Sequence, residues 1–157
     1  MRRGAAVDSP ADHAPVGYAL ALTAFAHRGR MQRALAEQGL HLGQERVVFE
    51  LAQTPGISQS ALAARLGVEQ PTVAKAVARM ARQGLVRSER DARDARTTRL
   101  FLTDRGAELL DPVVTCWTAV ESEMVENLSD RERAQLRRLL QRCAANLTRK
   151  DSDGSPA

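Results

Sequence analysis

The sequence is poor in aromatic residues and cysteines, and it contains no long apolar run. Without eighteen or more consecutive apolar residues, we expect no membrane-spanning helix. Two cysteines, Cys116 and Cys143, are too few for a disulfide framework. Asp8, Asp12 and His13 interrupt the N-terminal segment where a secretory signal would have its apolar core. We therefore expect a cytoplasmic protein, and 157 residues suffice for one domain with a hydrophobic core.

The residue groupings that catalysis and metal binding require are also missing. The sequence has no glycine-rich phosphate loop and no His-Glu-x-x-His pair, and its histidines (His13, His27 and His41) are scattered. His27 and His41 can still approach a pocket beside the first two long helices, but no cysteine or carboxylate cluster accompanies them. Both cysteines lie on apolar stripes, where a buried thiol is usual. We predict that the protein is not an enzyme and holds no metal or other cofactor.

Positive charge is concentrated in one segment. Residues 60–105 contain ten Lys or Arg and five Asp or Glu, a net charge of +5, whereas the rest of the chain has a net charge of −1. A localised basic surface attracts polyphosphate, although an unevenly charged, solvated face is the alternative explanation. RNA recognition would favour exposed aromatic residues for base stacking, and aromatic residues form only 3% of the chain. Double-stranded DNA is therefore the predicted partner.

The same segment has the pattern of a helix-turn-helix, with helices predicted at 58–66 and 70–83. Ser58 suits the N-cap of the first helix, which leaves the amides near Gln59 and Ser60 free to approach a phosphate. We therefore predict that Ser58, Gln59 and Ser60 contact the DNA phosphates. In the second helix, Val73, Val77 and Met80 recur at helical spacing and should face inward. The opposite face presents the predicted DNA-reading residues Gln70, Thr72, Lys75, Ala76 and Arg79. Side chains of this kind suit base edges in the major groove, and Lys75 and Arg79 can reach either guanine or phosphate.

A basic hairpin follows the second helix. Residues 86–89 and 98–102 are predicted to form two strands. The hairpin carries the predicted DNA-contacting residues Arg90, Arg93, Asp94, Arg96 and Arg99. Placing several positive charges close together does not stabilise the folded hairpin. A narrow minor groove, in contrast, attracts inserted arginine side chains. Because Asp94 precedes Arg96 by two residues, we expect it to brace the Arg96 guanidinium. The sequence therefore predicts a wing that enters the minor groove.

Long helices flank this segment. We predict one at 15–38, from Pro15 to the stop at Gly39, a shorter one at 42–53, a long one that Thr103 caps, and a last one that a capping box begins at Ser129. The predicted fold is mainly α, with about six helices and a two-stranded wing. A single domain at 15–148 contains the winged lobe at 42–103, between disordered tails at 1–14 and 149–157. The segments 15–38 and 104–148 have more apolar surface than this domain can cover, so we expect dimerisation through them, with burial within a monomer as the alternative.

From Gly39 to about Leu110 the chain resembles the MarR family of winged helix-turn-helix regulators. The matching motifs are Gly39-Leu-His-Leu-Gly-Gln44, Ile57-Ser-Gln-Ser-Ala-Leu-Ala63, Gln70-Pro-Thr-Val73, Gly84-Leu-Val86, Asp91-x-x-Asp94-x-Arg96 and Leu102-Thr-x-x-Gly106. The resemblance implies a dimer that binds pseudo-palindromic operators, with Arg96 in the minor groove and Asp94 supporting it. Most members are repressors, and many are released by small aromatic or anionic ligands. Ala95 departs from the pattern, because many members have two successive arginines there.

The sequence therefore predicts a homodimeric, sequence-specific transcriptional regulator of double-stranded DNA. The competing hypothesis is a winged-helix protein-interaction module that does not bind DNA. That hypothesis would favour acidic or apolar residues on the second motif helix, where the sequence instead has Lys75, Arg79 and Arg82.

Overall fold

The computed structural model describes residues 9–91, 94 and 96–153, with side chains to residue 149. Its elements in chain order are α1 (Pro10–His13), α2 (Pro15–Glu37), α3 (Gln44–Gln53), β1 (Ile57–Ser58), α4 (Gln59–Leu66), α5 (Gln70–Arg82), β2 (Val86–Arg90), β3 (Thr98–Leu102), α6 (Asp104–Ala107), α7 (Leu110–Met124) and α8 (Asp130–Asp153). The predicted mainly helical, winged helix-turn-helix fold is confirmed. The chain divides into two compact units, residues 1–120 and 121–157. No helix within the described ranges has the length and apolarity needed to cross a membrane.

Local signals in the sequence explain the main helix boundaries. Pro15 occupies the first turn of α2, where its missing N–H costs nothing. Gly39 follows α2 with φ of 69°, a left-handed conformation that glycine adopts without strain. Ser58 caps α4, because its Oγ accepts a hydrogen bond from the Ala61 N–H at 3.2 Å. These predicted caps and stops are confirmed, and α3 begins at Gln44, two residues later than predicted.

The wing belongs to a three-stranded sheet, so the prediction of two strands was incomplete. Strand β3 lies in the centre in the order β1-β3-β2, and both of its neighbours are antiparallel to it. Ile57 of β1 pairs with Leu100, and Val86 of β2 pairs with Leu102. A strand of two residues is too short to show the alternation of polar and apolar side chains that indicates a strand in a sequence. Its pairing attaches the start of α4 to the wing.

The helix predicted to begin after Thr103 is two helices, α6 and α7. Thr103 does cap the first of them, because its Oγ1 accepts a hydrogen bond from the Gly106 N–H at 3.0 Å. The same hydroxyl donates to the Gly84 carbonyl at 2.6 Å. The break comes before Pro112, which cannot donate to the carbonyl of Glu108 and whose ring crowds that carbonyl in a continuous helix.

Helices also extend into both segments predicted to be tails. The one-turn helix α1 has a capping box in which Ser9 and Asp12 satisfy each other's backbone amides. Helix α8 continues to Asp153, five residues beyond the predicted boundary at 148. Together with α6, α1 raises the number of helical segments above the six predicted.

The hydrophobic core of the first unit lies between α2, α3, the helix-turn-helix and the sheet. The predicted inward residues of α5 are buried, and so are Leu62 and Leu66 of α4. Gly106 is required at the start of the α6 turn, because a Cβ there would lie 2.0 Å from the backbone oxygen of Leu85. Packing on the buried side of α5 and of the sheet therefore fixes the positions of α5 and the wing.

The second unit contains α8 and the end of α7. Its predicted capping box is confirmed: the Ser129 N–H donates to Glu132 Oε2 at 2.8 Å, and the Glu132 N–H donates to Ser129 Oγ at 3.4 Å. The Ser129 hydroxyl, which donates to Glu132 Oε2 at 2.6 Å, and the Ser129 N–H hold the pKa of Glu132 below its usual range.

Candidate nucleic-acid interface

Helix α5 presents a polar outer face. Of the predicted DNA-reading residues, Gln70, Thr72, Lys75 and Arg79 are exposed and Ala76 is half-buried. The opposite side is fixed by Val73 and Met80, whose exposed fractions are 1% and 0%. Because the buried side cannot rotate without opening the core, the polar side chains keep a defined direction.

A surface cleft of about 410 Å³ lies between the start of α4, the start of α5 and the wing. Its lining residues are Ser58, Gln59, Ser60, Gln70, Pro71, Ala74, Arg96, Thr97 and Thr98. The structure therefore brings together three groups of residues that the sequence predicted separately: the phosphate-contacting segment, the first residue of α5 and the wing arginine. Two helix starts and a guanidinium facing one cleft favour a negatively charged occupant.

Within this cleft, the hydroxyl of Ser58 is already engaged. It accepts the Ala61 N–H and lies 3.1 Å from the hydroxyl of Ser60. Ser58 is also half-buried, whereas Ser60 is exposed. Any contact with a phosphate at the start of α4 therefore falls to Gln59 and Ser60, while Ser58 positions them.

At the wing tip, Asp94 organises the backbone. Its Oδ1 accepts the backbone N–H of Arg96 at 3.0 Å, and its Oδ2 accepts the hydroxyl of Thr97 at 2.9 Å. The prediction that Asp94 braces the Arg96 guanidinium is therefore wrong in this structure. A short carboxylate readily reaches the amide two residues later and forms an Asx turn. The exposed Arg96 side chain is directed by the turn rather than by an ion pair.

The other wing arginines differ in their surroundings. Arg90 is exposed at the end of β2. Arg99 is half-buried, and its guanidinium binds the carboxylate of Asp91 and the carbonyl of Gly56, the latter at 3.2 Å. This geometry assigns Arg99 to the base of the wing and does not support the predicted contact with DNA. Arg93 lies outside the described residues.

Arg87 is a wing residue that sequence analysis did not select. Its guanidinium lies over the ring of Phe101, 4.4 Å from the centroid, and it forms an ion pair with Glu89. Arg87 and Phe101 are directly opposite each other in the sheet, so strand register brings them together. Such a pair was not visible before the register was known. Arg87 stiffens the wing on its exposed face.

Gln44 and Gln83, which sequence analysis also missed, connect α3 to the end of α5. Gln44 is 3% exposed, and its amide donates to Gln83 Oε1 at 3.1 Å while its own oxygen accepts the His41 N–H at 2.8 Å. A buried amide with these partners holds two elements in register because breaking either bond leaves a polar group unsatisfied. In the sequence, this contact was indicated by a glutamine at the start of a helix face that is otherwise apolar.

Beside it, Glu45 is a buried acid with an exposed fraction of 3%. Burial raises the pKa of Glu45 above its usual value of 4.5. Its backbone hydrogen bonds, which include the Gly43 N–H at 2.6 Å, and the nearby Arg46 and Arg28 oppose that shift. The protonated carboxyl is therefore favoured in the folded chain relative to the unfolded chain.

We expect Glu45→Gln to stabilise the protein at neutral pH, with a gain that shrinks as the pH falls. As pH rises above 4.5, the unfolded carboxyl ionises first, so the wild-type free energy of unfolding decreases until the pH passes the raised folded pKa. Glutamine has no such dependence. Thermal unfolding across this pH range measures the difference, with the exposed Glu69→Gln variant as the control for loss of a charge. A difference from wild type that does not change with pH would contradict this expectation.

A second cavity, of about 310 Å³, lies between α3 and the outer face of α5. Its lining residues are Leu42, Gly43, Gln44, Arg46, Val47, Leu66, Val68, Thr72, Val73, Lys75, Ala76 and Arg79. Apolar side chains form much of its wall, and three of the residues that line it carry positive charge. Its chemistry suits a small apolar molecule that bears an anionic group.

The residues considered for metal or redox chemistry have structural surroundings. The ring of His27 lies against that of Trp117, with 5.6 Å between centroids. Among the described residues, no three His, Cys, Asp or Glu side chains are grouped as metal ligands. Cys116 is buried as expected, its Sγ lies 3.4 Å from the Ala34 carbonyl, and burial raises the pKa of its thiol. Cys143, which was expected to be buried, is exposed in the single chain, in which every residue of 130–149 except Leu136 is exposed.

Comparisons with known proteins agree with this architecture. The family model described as MarR family matches residues 38–97. The transcriptional regulator HosA of Escherichia coli O127:H6 is 33% identical over 116 residues, which cover 74% of this chain and 84% of HosA. The similarity to HosA therefore spans more of the chain than the matched family segment does.

Solved structures show the same fold. A mutant of Escherichia coli MarR in complex with operator DNA aligns with a TM-score of 0.80 at 20% identity, covering 87% of this chain and 99% of that chain. The PcaV regulator of Streptomyces coelicolor, solved with its natural ligand, aligns with a TM-score of 0.77 at 28% identity, covering 90% and 97%. Given the match to HosA over most of both proteins, this chain belongs to the MarR family of winged helix-turn-helix transcriptional regulators, a family of regulators and not of enzymes.

Proposed function

We propose that this chain is a cytoplasmic, homodimeric repressor that binds a pseudo-palindromic operator in double-stranded DNA. The two α5 helices enter successive major grooves about 34–36 Å apart, and the wings reach the flanking minor grooves. The observation that carries this proposal is the cleft in which Gln59, Ser60, Gln70 and Arg96 meet. It lies within the segment that holds the excess positive charge.

The contacts divide by chemistry. Gln59 and Ser60 at the start of α4 are assigned to phosphates, because helix-start amides and short polar side chains bind anions. Gln70, Thr72, Lys75, Ala76 and Arg79 on the outer face of α5 are assigned to the major groove. Arg96, together with the exposed Arg90 and with Arg93, is assigned to the minor groove.

Exposed apolar side chains support the dimer. On α2, Phe25 is 80% exposed and Leu22 is 54% exposed. On α8, Leu147 is 65% exposed and Leu140 is 41% exposed. Two helices that each expose several large apolar side chains mark an interaction surface, and a second copy of the chain supplies a matching one. We assign dimerisation to the segments 15–38 and 104–148.

A small aromatic or anionic effector is part of the proposal. The cavity between α3 and α5 supports this, since an occupant would contact Thr72, Lys75 and Arg79 on the face assigned to DNA. Such a molecule would bind the DNA-free state more tightly than the DNA-bound state, and release follows from that difference in affinity. PcaV, which has the same fold, was solved in complex with its natural ligand.

Selection of bound fragments from the source genome, followed by salt titration, tests the proposal. We expect a defined inverted-repeat sequence among the selected fragments, and affinity that falls with a slope of about −0.9 per phosphate contact in log K against log salt. The Arg28→Gln variant, which removes a charge from α2, should retain the wild-type slope. A flat salt response and no enriched sequence would favour the protein-interaction module instead.

A further inference from the structure

Helix α8 carries a line of arginines that the DNA-binding lobe does not include. Four of them are separated by seven, four and seven residues: Arg131, Arg138, Arg142 and Arg149. At 3.6 residues per turn they fall within about 20° of one line along the helix, over a length of about 27 Å. All four are exposed. We call this set the arginine stripe.

Folding does not account for the arginine stripe. In the part of the chain that the structure describes, none of the four guanidinium groups forms an ion pair with a carboxylate, and Arg149 donates to Asn146 Oδ1 at 3.3 Å. Arg138 and Arg142 are one helical turn apart, a spacing at which like charges destabilise a helix. The nearby acid Glu132 is held in its capping box with Ser129. The positive charge of the stripe is thus left for an external partner.

Dimerisation through the apolar face of α8 leaves the arginine stripe accessible. The apolar residues of that face, Leu136, Leu140, Cys143 and Leu147, lie on the opposite side of the helix, on average about 150° from the stripe. A second copy that covers them therefore does not cover the arginines. A symmetric dimer presents two such stripes.

The residues around the stripe indicate the chemistry of its partner. Between Arg131 and Arg149, the other residues of α8 within about 60° of the line are Ala134, Gln135, Ala145 and Asn146. Protein partners are usually held by buried aromatic or large aliphatic anchors, and this surface has none among these residues. Arginine with glutamine and asparagine is the set that contacts phosphate oxygens, and guanidinium groups bind phosphates through paired hydrogen bonds.

We propose that the arginine stripe of α8 is a second surface of this chain that binds the phosphate backbone of duplex DNA, without regard to base sequence. It acts separately from α5 and the wing, and it adds affinity for any duplex near a bound operator. The stripe therefore raises the affinity of the protein for DNA of any sequence.

The test compares two double variants of the full-length chain, both made in an Arg96→Ala background. Arg138→Gln with Arg142→Gln removes two charges from the arginine stripe. Arg28→Gln with Arg105→Gln removes two charges from exposed positions outside α8. Affinity for a random-sequence duplex is titrated against salt, and circular dichroism checks that helix content is retained.

We expect the stripe variant to lose about 1.8 from the magnitude of the salt slope, because each phosphate contact contributes about 0.9. The matched variant should keep the slope of its background. Equal slopes for the two double variants would overturn the proposal. Binding of polyglutamate provides a second outcome that would overturn the proposal. If only the stripe variant lost this binding while the DNA slopes stayed equal, the stripe would be assigned to an acidic protein. The proposed function is tested separately, by measuring operator binding of the Arg96→Ala variant that keeps all four arginines of the stripe.

Discussion

Replacing Arg96 by alanine is expected to weaken binding to an operator fragment by at least about thirtyfold, or about 2 kcal/mol per dimer. In the proposed complex each dimer would lose two inserted arginines, and an arginine that contacts bases contributes about 1–3 kcal/mol. Arg96 is exposed on a turn whose backbone is fixed by Asp94, so the substitution removes a guanidinium without removing a structural contact described for it. Fluorescence anisotropy with a labelled operator measures the change.

Arg105→Ala is the matched control for Arg96→Ala. It removes the same charge from the segment 60–105, but it lies beyond the opposite end of β3 from the wing tip. Its expected effect on operator affinity is several times smaller. Thermal unfolding of both variants should match wild type. If Arg96→Ala bound the operator as tightly as Arg105→Ala, the assignment of Arg96 to the minor groove would be wrong.

Replacing Phe25 by aspartate is expected to separate the dimer and to abolish operator binding. The side chain is 80% exposed in the single chain, so the substitution leaves the chain's own core intact. A phenylalanine buried between copies contributes about 2 kcal/mol, and each dimer loses two of them. The resulting loss of about 4 kcal/mol corresponds to a weakening of dimerisation close to thousandfold, before the cost of burying a carboxylate is added.

Sedimentation velocity over a range of concentrations measures the dissociation of Phe25→Asp. Phe25→Leu serves as its control, since leucine keeps an apolar side chain at the same position and should keep the dimer. A Phe25→Asp protein that sediments as wild type and binds the operator would exclude this face of α2 from the interface. Loss of operator binding in a variant that stayed dimeric would point to an effect within the DNA-binding lobe.

Sequence patterns predicted the helix-turn-helix well because its signals are local. The cap at Ser58, the stop at Gly39 and the inward spacing of Val73 and Met80 depend only on residues a few positions apart. Each of these signals acts within its own segment and does not depend on how distant segments fold. The same holds for the capping box at Ser129. The exposed face of α5 then follows, because it is the side that the core does not use.

Contacts between distant segments were not predictable in the same way. Arg99 was assigned to DNA from its charge, but it meets the carbonyl of Gly56, forty-three residues earlier. The link between Gln44 and Gln83 spans a similar separation. Such pairs depend on strand register and helix packing, which only the folded chain defines. Charge alone therefore does not distinguish an arginine that supports the wing from one that contacts a partner.

Asp91 joins the tip of the wing to its base, because its carboxylate accepts the Asp94 N–H at 3.2 Å and also binds Arg99. Asp94 shapes the tip through Arg96 and Thr97, whereas Arg99 and Asp91 secure the base. We therefore expect that the side chain at position 96 can be exchanged while Asp91, Asp94 and Arg99 keep the turn in place. Groove preference at the edges of an operator would then be open to redesign without any change to the helices.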